Sequence, residues 1–425
     1  MPTLNKIGTA FARSHHTPAT DPQLRRLRTA LTVFFAVDGF LFAGWVVRIP
    51  AIKAQVGASA GQLGLALLGV SAGAVATMVL TGRLCRRFGS ERVSVATAVL
   101  LSFSIALPPR THSALALGLV LLCFGIAYGG LNVAANSVAV DLVAALRRPV
   151  MSGFHAAYSL GGLLGAGIGG LLAPHLSPAT HLLLLTPVGL VAVALAGRVL
   201  VAHPLRPLAH TTDKDSAAGG TEPDVKSAKP ATRPAAGQPV PRTGLLVAVF
   251  GLIAACTAYG EGALAEWGPL HIQQDLHGGP GIAAAGYACV ALAMAVGRLS
   301  GTALILRLGQ TRALVLGGLT ACGGMLLGAL APAVPLTMIG FALTGLGLAN
   351  LFPTAIARAG ELTGPSGVAA ASTLGYGGML LGPPSIGFLA DAFGLPTALT
   401  TVSALAAVAA GIAFASRRGG VRQEV

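Results

Sequence analysis

Runs of about 20 consecutive apolar residues, the length that carries an α-helix across about 30 Å of hydrocarbon, recur along nearly the whole chain. They leave few architectures open. Inside lipid every backbone amide and carbonyl must be satisfied within the crossing structure, which favours helices over exposed strands or loops. Twelve spans are expected, at 29–49, 61–82, 93–109, 114–140, 150–173, 180–201, 244–268, 282–306, 313–331, 334–357, 367–390 and 395–415. Of the 425 residues 54% are hydrophobic and only 10% charged, too little polar surface to cover a soluble body of that size. The expected fold class is all-α integral membrane.

A net charge of +14 could point to a polyanionic partner, but the basic residues follow the spans instead. With both termini cytoplasmic, 25 of the 28 Lys and Arg fall on the cytoplasmic side, and only Arg48, Lys53 and Arg110 fall outside it. That asymmetry sets the orientation by the positive-inside rule and makes nucleic acid unnecessary as a partner. A multi-pass protein of the cytoplasmic (inner) cell membrane is expected. The first 28 residues are polar, without the apolar core or cleavage site of a signal peptide, and are expected to stay as a cytoplasmic tail. The five cysteines (85, 123, 256, 289 and 322) lie in spans or at their inner ends, an arrangement that suits packing rather than disulfides. Neither a metal site nor a cofactor is expected.

One long polar stretch, residues 202–242, is rich in Pro, Ala, Gly and Lys and reads as a flexible cytoplasmic linker. It separates a first half, 29–201, from a second, 243–415, with tails at 1–28 and 416–425. Six spans on each side is the pattern of a duplicated transporter with parallel repeats. Span 1 carries "DGFLFAGW" and span 7 "EGALAEW": in each an acid precedes a glycine, and the only two tryptophans, Trp45 and Trp267, follow. Spans 5 and 11 also correspond, with Gly161, Gly165 and Gly169 on one helical face and Gly378 and Gly382 on another, allowing close helix approach.

With "GRLCRRFGSER" between spans 2 and 3, the chain resembles the major facilitator superfamily over essentially its whole length. Gly82, Arg87 and Gly89 match that family's loop motif, with Arg92 closing the stretch, whereas Arg86 stands where the family usually has aspartate. The echo between spans 8 and 9 keeps Arg307, Gly309 and Arg312 and also lacks the acid. The resemblance implies twelve helices in two six-helix pseudo-repeats. More narrowly, "GWVVRIPAIK", "FHAAYSLGGLLGA" and "EGALAEWGPL" resemble a branch of poorly characterised bacterial permeases, distantly similar to fucose-type sugar/proton symporters. In that group an acid on span 1 is implicated in proton coupling, a position that Asp38 matches. The group's span 4 carboxylate is replaced here by asparagines.

Asp38 lies about 13 Å into span 1 at 1.5 Å per residue, close to the bilayer midplane where transporters bind solute and coupling ions. An aspartate there costs about 2.5 to 3.5 kcal/mol on insertion scales, and burial disfavours its charged form, so a proton can be taken and lost as access changes. Glu261 is its repeat partner and His155 on span 5 a third titratable candidate, each with a structural hydrogen-bonding role as the alternative. Phe42 flanks Asp38 as an aromatic face. On span 4, Tyr128, Asn132 and Asn136 form one polar stripe at four-residue spacing, suited to hydrogen-bonding a neutral solute. Tyr259, Asn350 and Tyr376 are candidate solute contacts in the second half. Trp45 is read as an outer-interface anchor, Arg48 and Lys53 as boundary charges, and Glu266 as reaching the outer interface.

No G-x-x-x-x-G-K-[ST] loop accompanies these residues and no H-E-x-x-H occurs, while the one G-x-S-x-G match, Gly69 to Gly73, falls inside apolar span 2 rather than at a strand-to-helix turn. An enzyme is therefore not expected. The reading is a secondary transporter that works by alternating access, as a monomer, with protons and a small organic solute as partners. Sugar-like import is set slightly ahead of drug/proton antiport, with an uncoupled facilitator or a membrane sensor as further alternatives.

Overall fold

The protein's structure, a computed structural model, describes residues 21–146, 150–205, 241–363 and 365–416. The tails at 1–20 and 417–425, most of the linker (206–240), Arg147 and Arg148 lie outside the described residues. Everything described is helix or short turn. The first half comprises α1 (Pro22–Val46), α2 (Ile49–Val56), α3 (Ala60–Phe88), α4 (Ser90–Ser104), α5 (Ala114–Leu146), α6 (Met151–Leu172) and α7 (Pro178–Ala202). In the second are α8 (Pro241–Glu266), α9 (Gly268–Gln274), α10 (Pro280–Leu308), α11 (Gln310–Leu330), α12 (Val334–Leu348), α13 (Leu351–Thr363), α14 (Pro365–Phe393) and α15 (Leu395–Ser416). Ten segments among the described residues are long and apolar enough to cross a membrane, α12 and α13 counting as one. The glycine-rich α6 and α14 complete six crossings in each half.

Local chemistry explains the breaks. Pro50 and Pro269 lack the N–H that would continue α1 into α2 and α8 into α9, so both acid-bearing helices end near the tryptophan of the repeat and restart as a short helix. Span 10, read as continuous from the sequence, is divided between α12 and α13: Pro353 removes the donor owed to the Ala349 carbonyl, and Asn350 lies at the break. At the α3–α4 and α10–α11 turns, Gly89 and Gly309 hold positive φ (89° and 78°), a conformation costly for other residues. Both arginine-bearing loops therefore turn in the same way.

Packing repeats as well. In the first half α1 lies on α6, α3 on α5 and α4 on α7; in the second α8 lies on α14, α10 on α12 and α11 on α15. Two symmetric crossings, α6 with α10 and α3 with α14, join the halves. Large apolar side chains such as Leu115, Leu171, Leu195 and Leu306 remain 64–81% exposed on the perimeter, as lipid-facing positions do.

The glycine faces expected on spans 5 and 11 meet backbone. A methyl group on Gly161 would overlap the Ala36 carbonyl of α1, and one on Gly378 the Ala255 carbonyl of α8. Gly161→Val is therefore expected to push α6 off α1 and to cost about 1–3 kcal/mol, as overpacking does elsewhere. Thermal unfolding of the detergent-purified protein measures this, with Gly167→Val as the control, since a methyl there meets nothing within 4 Å.

Candidate functional site

The halves close together at one end and part at the other. Toward the closed end, the N-terminal turn of α3 packs on the C-terminal part of α14, with Gly64 against Pro383 and Pro384 and Gly387 against Ala60. There too Gly170 of α6 meets Ala284 of α10, and Lys53 Nζ of α2 donates to Gln274 Oε1 of α9 at 3.5 Å. Level with the centre, Ser71 Oγ donates to the Met379 carbonyl at 3.2 Å. At the opposite end a methyl on Gly153 would meet no atom within 4 Å, and one on Gly82 only its own Arg86. The space between the halves therefore opens toward the α3–α4 turn.

At the head of that space lies Asp38, 4% exposed, whose Oδ1 has no hydrogen-bond partner among the described residues. Its backbone position is set by the α1–α6 contact, because the neighbouring Gly39 sits against the Tyr158 carbonyl. Asp38 interacts electrostatically with the phenols of Tyr128 on α5 and Tyr158 on α6, whose hydroxyls bond to each other at 2.9 Å. Tyr128 stacks on Phe42, with ring centroids 5.1 Å apart at 25°. Tyr287 of α10 and Tyr376 of α14 complete the group electrostatically from the second half, and the Tyr287 hydroxyl lies 3.8 Å from a Cβ placed on Gly162 of α6. Four of the chain's five tyrosines thus form one group around Tyr128, with Asp38 beside Tyr128 and Tyr158.

Beside this cluster Arg298 of α10 bridges the halves. Its Nη2 donates to Glu261 Oε2 of α8 at 3.1 Å and its Nη1 to Ser159 Oγ of α6 at 3.2 Å. His155, one turn before Ser159, interacts with Arg298 and meets the Phe35 ring edge-on at 5.5 Å. The two repeat-related acids consequently differ: Glu261 has a cation and Asp38 has none bonded to it.

The other expected residues are divided. Asn136 Nδ2 donates to the Asn132 backbone carbonyl at 2.8 Å, so the amide stripe continues from Tyr128 toward the open end bonded along its own helix. Tyr259 lies apart from the cluster, its hydroxyl paired with Thr401 Oγ1 of α15 at 2.9 Å. Asn350 donates to the Gly297 carbonyl at 2.8 Å, which ties the α12–α13 break to α10 next to Arg298 and makes the residue a brace rather than a wall of the space. In the loop motif Arg86 and Arg87 occupy the last turn of α3, where cations complement the helix dipole, and Arg87 covers its neighbour Phe88. The acid that makes a cross-connection there is Glu91, one residue before Arg92: its Oε1 accepts from the Leu205 amide at 2.9 Å. Among the described residues no three His, Cys, Asp or Glu gather as metal ligands, and all five cysteines are free.

Several boundary readings are corrected. Arg48 is 3% exposed: its Nε donates to His181 Nδ1 at 2.8 Å and its Nη1 to the Leu176 carbonyl at 3.2 Å, beyond the C-terminus of α6. Trp45 is fully buried rather than interfacial, like its repeat partner Trp267, and Glu266 is 5% exposed. Arg298, counted from the sequence among cytoplasmic charges, is at the central site. The signal for it was the apolar sequence on both sides, "AVGRLSG" within span 8; the signal for Tyr158 and Tyr287 was that every tyrosine falls inside a span.

Replacement of Arg48 by Met is expected to leave His181 and a carbonyl unsatisfied and to cost about 2–4 kcal/mol by loss of charge-assisted hydrogen bonds. The exposed Arg110→Met should stay within about 0.5 kcal/mol of wild type. Thermal unfolding of both variants in one detergent makes the comparison.

Known proteins give this geometry a place. The family profile for the Major Facilitator Superfamily matches residues 30–326 and again 250–423. An uncharacterized transporter, y4wD, of Sinorhizobium fredii is 32% identical over 396 residues, covering 92% of this chain and 99% of the relative. An uncharacterized MFS-type transporter of Yersinia pestis is 30% identical over 410 residues, 95% of this chain and 99% of the relative. Membrane protein MosC of Rhizobium meliloti is 29% identical over 394 residues, 92% of this chain and 90% of the relative. Among solved structures, a bacterial homolog of the human lysosomal transporter Spinster superposes with a TM-score of 0.70 at 15% identity, covering 94% of this chain and 98% of the other. The nucleoside transporter NupG gives 0.66 at 13% identity, covering 92% and 99%. With twelve crossings in two repeated halves around a central space, and a family match along nearly its whole length, this chain belongs to the major facilitator superfamily and is a membrane transporter.

Proposed function

We propose that the transporter is proton-coupled and moves a small hydroxylated organic solute inward by alternating access, with Asp38 carrying the proton. One observation carries this reading: Asp38 is a buried carboxyl with an unpartnered oxygen beside Tyr128 and Tyr158, and Tyr128 in turn interacts with Tyr287 and Tyr376 of the other half. A charged carboxylate is costly in dry surroundings, so Asp38 takes up a proton before its end of the space closes and releases it when water returns. One charge moving through 100 mV supplies about 2.3 kcal/mol, enough to drive accumulation.

Solute recognition falls to neighbouring groups. Phenolic hydroxyls of Tyr128, Tyr158, Tyr287 and Tyr376 both donate and accept hydrogen bonds, and the Phe42–Tyr128 stack offers a flat apolar wall, a combination that suits a polyhydroxylated ring. Arg298 links the occupied site to both halves. Its guanidinium holds Ser159 of one half and Glu261 of the other, so a solute that displaces either contact changes how the halves are joined. His155 lies beside Arg298 as part of that link. On the positive-inside orientation the arginine-rich open end is cytoplasmic, in an inner membrane, and this state faces inward. The whole site is built within one chain, so a monomer suffices.

Proteoliposomes with an imposed pH gradient test the coupling, with labelled sugars and cationic dyes as probes. Wild type is expected to accumulate a sugar-like probe only with the gradient. Asp38→Asn should abolish that accumulation and keep solute exchange at equal concentrations, since the amide binds solute but carries no proton. Gradient-independent uptake, or an unaffected Asp38→Asn protein, would overturn the coupling. Dye extrusion without sugar uptake would assign the protein to efflux instead.

A further inference from the structure

The closed end carries a contact that the transport cycle as described does not use. Asp391, near the end of α14, reaches across from the second half to the start of α3 in the first. Its Oδ1 accepts from the Ala60 amide at 2.9 Å, and its Oδ2 accepts from the Gly61 amide and from the Ser59 hydroxyl, each at 2.8 Å. These are the N-cap and first two residues of α3, where a helix leaves its amides without partners and presents a partial positive charge. Ser59 itself accepts from the Gln62 amide. One carboxylate from the other half therefore completes the capping of a transmembrane helix.

The fit requires glycine, since a Cβ on Gly61 would come within 2.6 Å of Asp391 Oδ2. Lys53 of α2 attracts Asp391 and also Asp275, which follows α9, so the charges facing Asp391 from both halves are accounted for. Slight burial acts to raise the Asp391 carboxyl. Hydrogen bonds from Ser59, Gly61 and Ala60, with Lys53 nearby, outweigh it and hold the carboxyl below its ordinary value. A carboxylate lowered in this way keeps its charge and its contribution above the ordinary carboxylate range and loses them only as pH falls through the lowered value. At neutral pH the contact is fully charged.

We propose that Asp391 is the latch of this gate: it caps α3 across the two halves in the inward-facing state and must leave that helix before the closed end can open. The inference rests on the alternating-access reading, but its test reads conformation, without solute or proton gradient, so either can fail without the other.

Hydrogen–deuterium exchange of the full chain in lipid nanodiscs provides that test, comparing wild type with Asp391→Ala, Asp391→Asn and Ser59→Ala. The informative amides lie away from the latch, where α6 crosses α10 (residues 167–171 and 281–287). Asp391→Ala is expected to raise exchange there about tenfold, equivalent to ~1.4 kcal/mol of gate stability, and to protect the open-end segment 150–156. Asp391→Asn and Ser59→Ala, which keep part of the cap, should fall in between. Faster exchange confined to residues 59–64 would mean simple fraying of α3 and would overturn the latch, as would unchanged exchange in all variants. If Asp391→Ala does not elute as a single folded species, the two milder variants decide by the same criterion.

Discussion

Close backbone contact between α1 and α6, and between α8 and α14, is the constraint on which the rest of the structure depends. Without a hydrophobic drive between helices in lipid, association relies on packing and on polar contacts, and small residues allow it. Gly161 sits on the Ala36 carbonyl, Gly39 on the Tyr158 carbonyl and Gly378 on the Ala255 carbonyl. The acid-bearing helices are thereby held with their carboxyls toward the space between the halves. A side chain at any of these glycines would move Asp38 or Glu261 before it disturbed a perimeter residue.

Duplication supplies the frame, and the site lies in what departs from it. Both halves have an acid, a glycine and a tryptophan in the same order, and both interrupt the helix beside a proline. Yet Glu261 is paired with Arg298, whereas Asp38 faces phenols with one oxygen unpartnered. Glu261 therefore meets a guanidinium, whereas Asp38 meets only neutral hydroxyls. One sequence motif used twice thus yields two electrostatic environments, decided by which residues the other helices bring.

The two ends of the molecule differ for related reasons. Arginines crowd the turns of the open end, at the last turn of α3 and the end of α10. At the closed end the contacts are glycine, proline and one carboxylate on a helix start, and Arg48 is drawn inward by the helix ends it caps. Charge at a membrane boundary does not by itself mean exposure to solvent.

Much of this was legible in the sequence. Apolar run lengths determined the all-α membrane class and the number of crossings, since lipid leaves the backbone no alternative. The paired acid, glycine and tryptophan revealed the repeat, and the depth of Asp38 in its span marked it as unusual. Tertiary structure alone decided partnership. Only the approach of α10 to α6 and α8 shows that Arg298 belongs to the site, and only the covering of one end shows that Trp45, Arg48 and Glu266 are interior. Tyr259 and Asn350 have the same composition signal as Tyr128, but their helices turn them toward α15 and α10. Helical periodicity tells which residues share a face, whereas which neighbour that face meets depends on crossings between distant segments that no local pattern encodes.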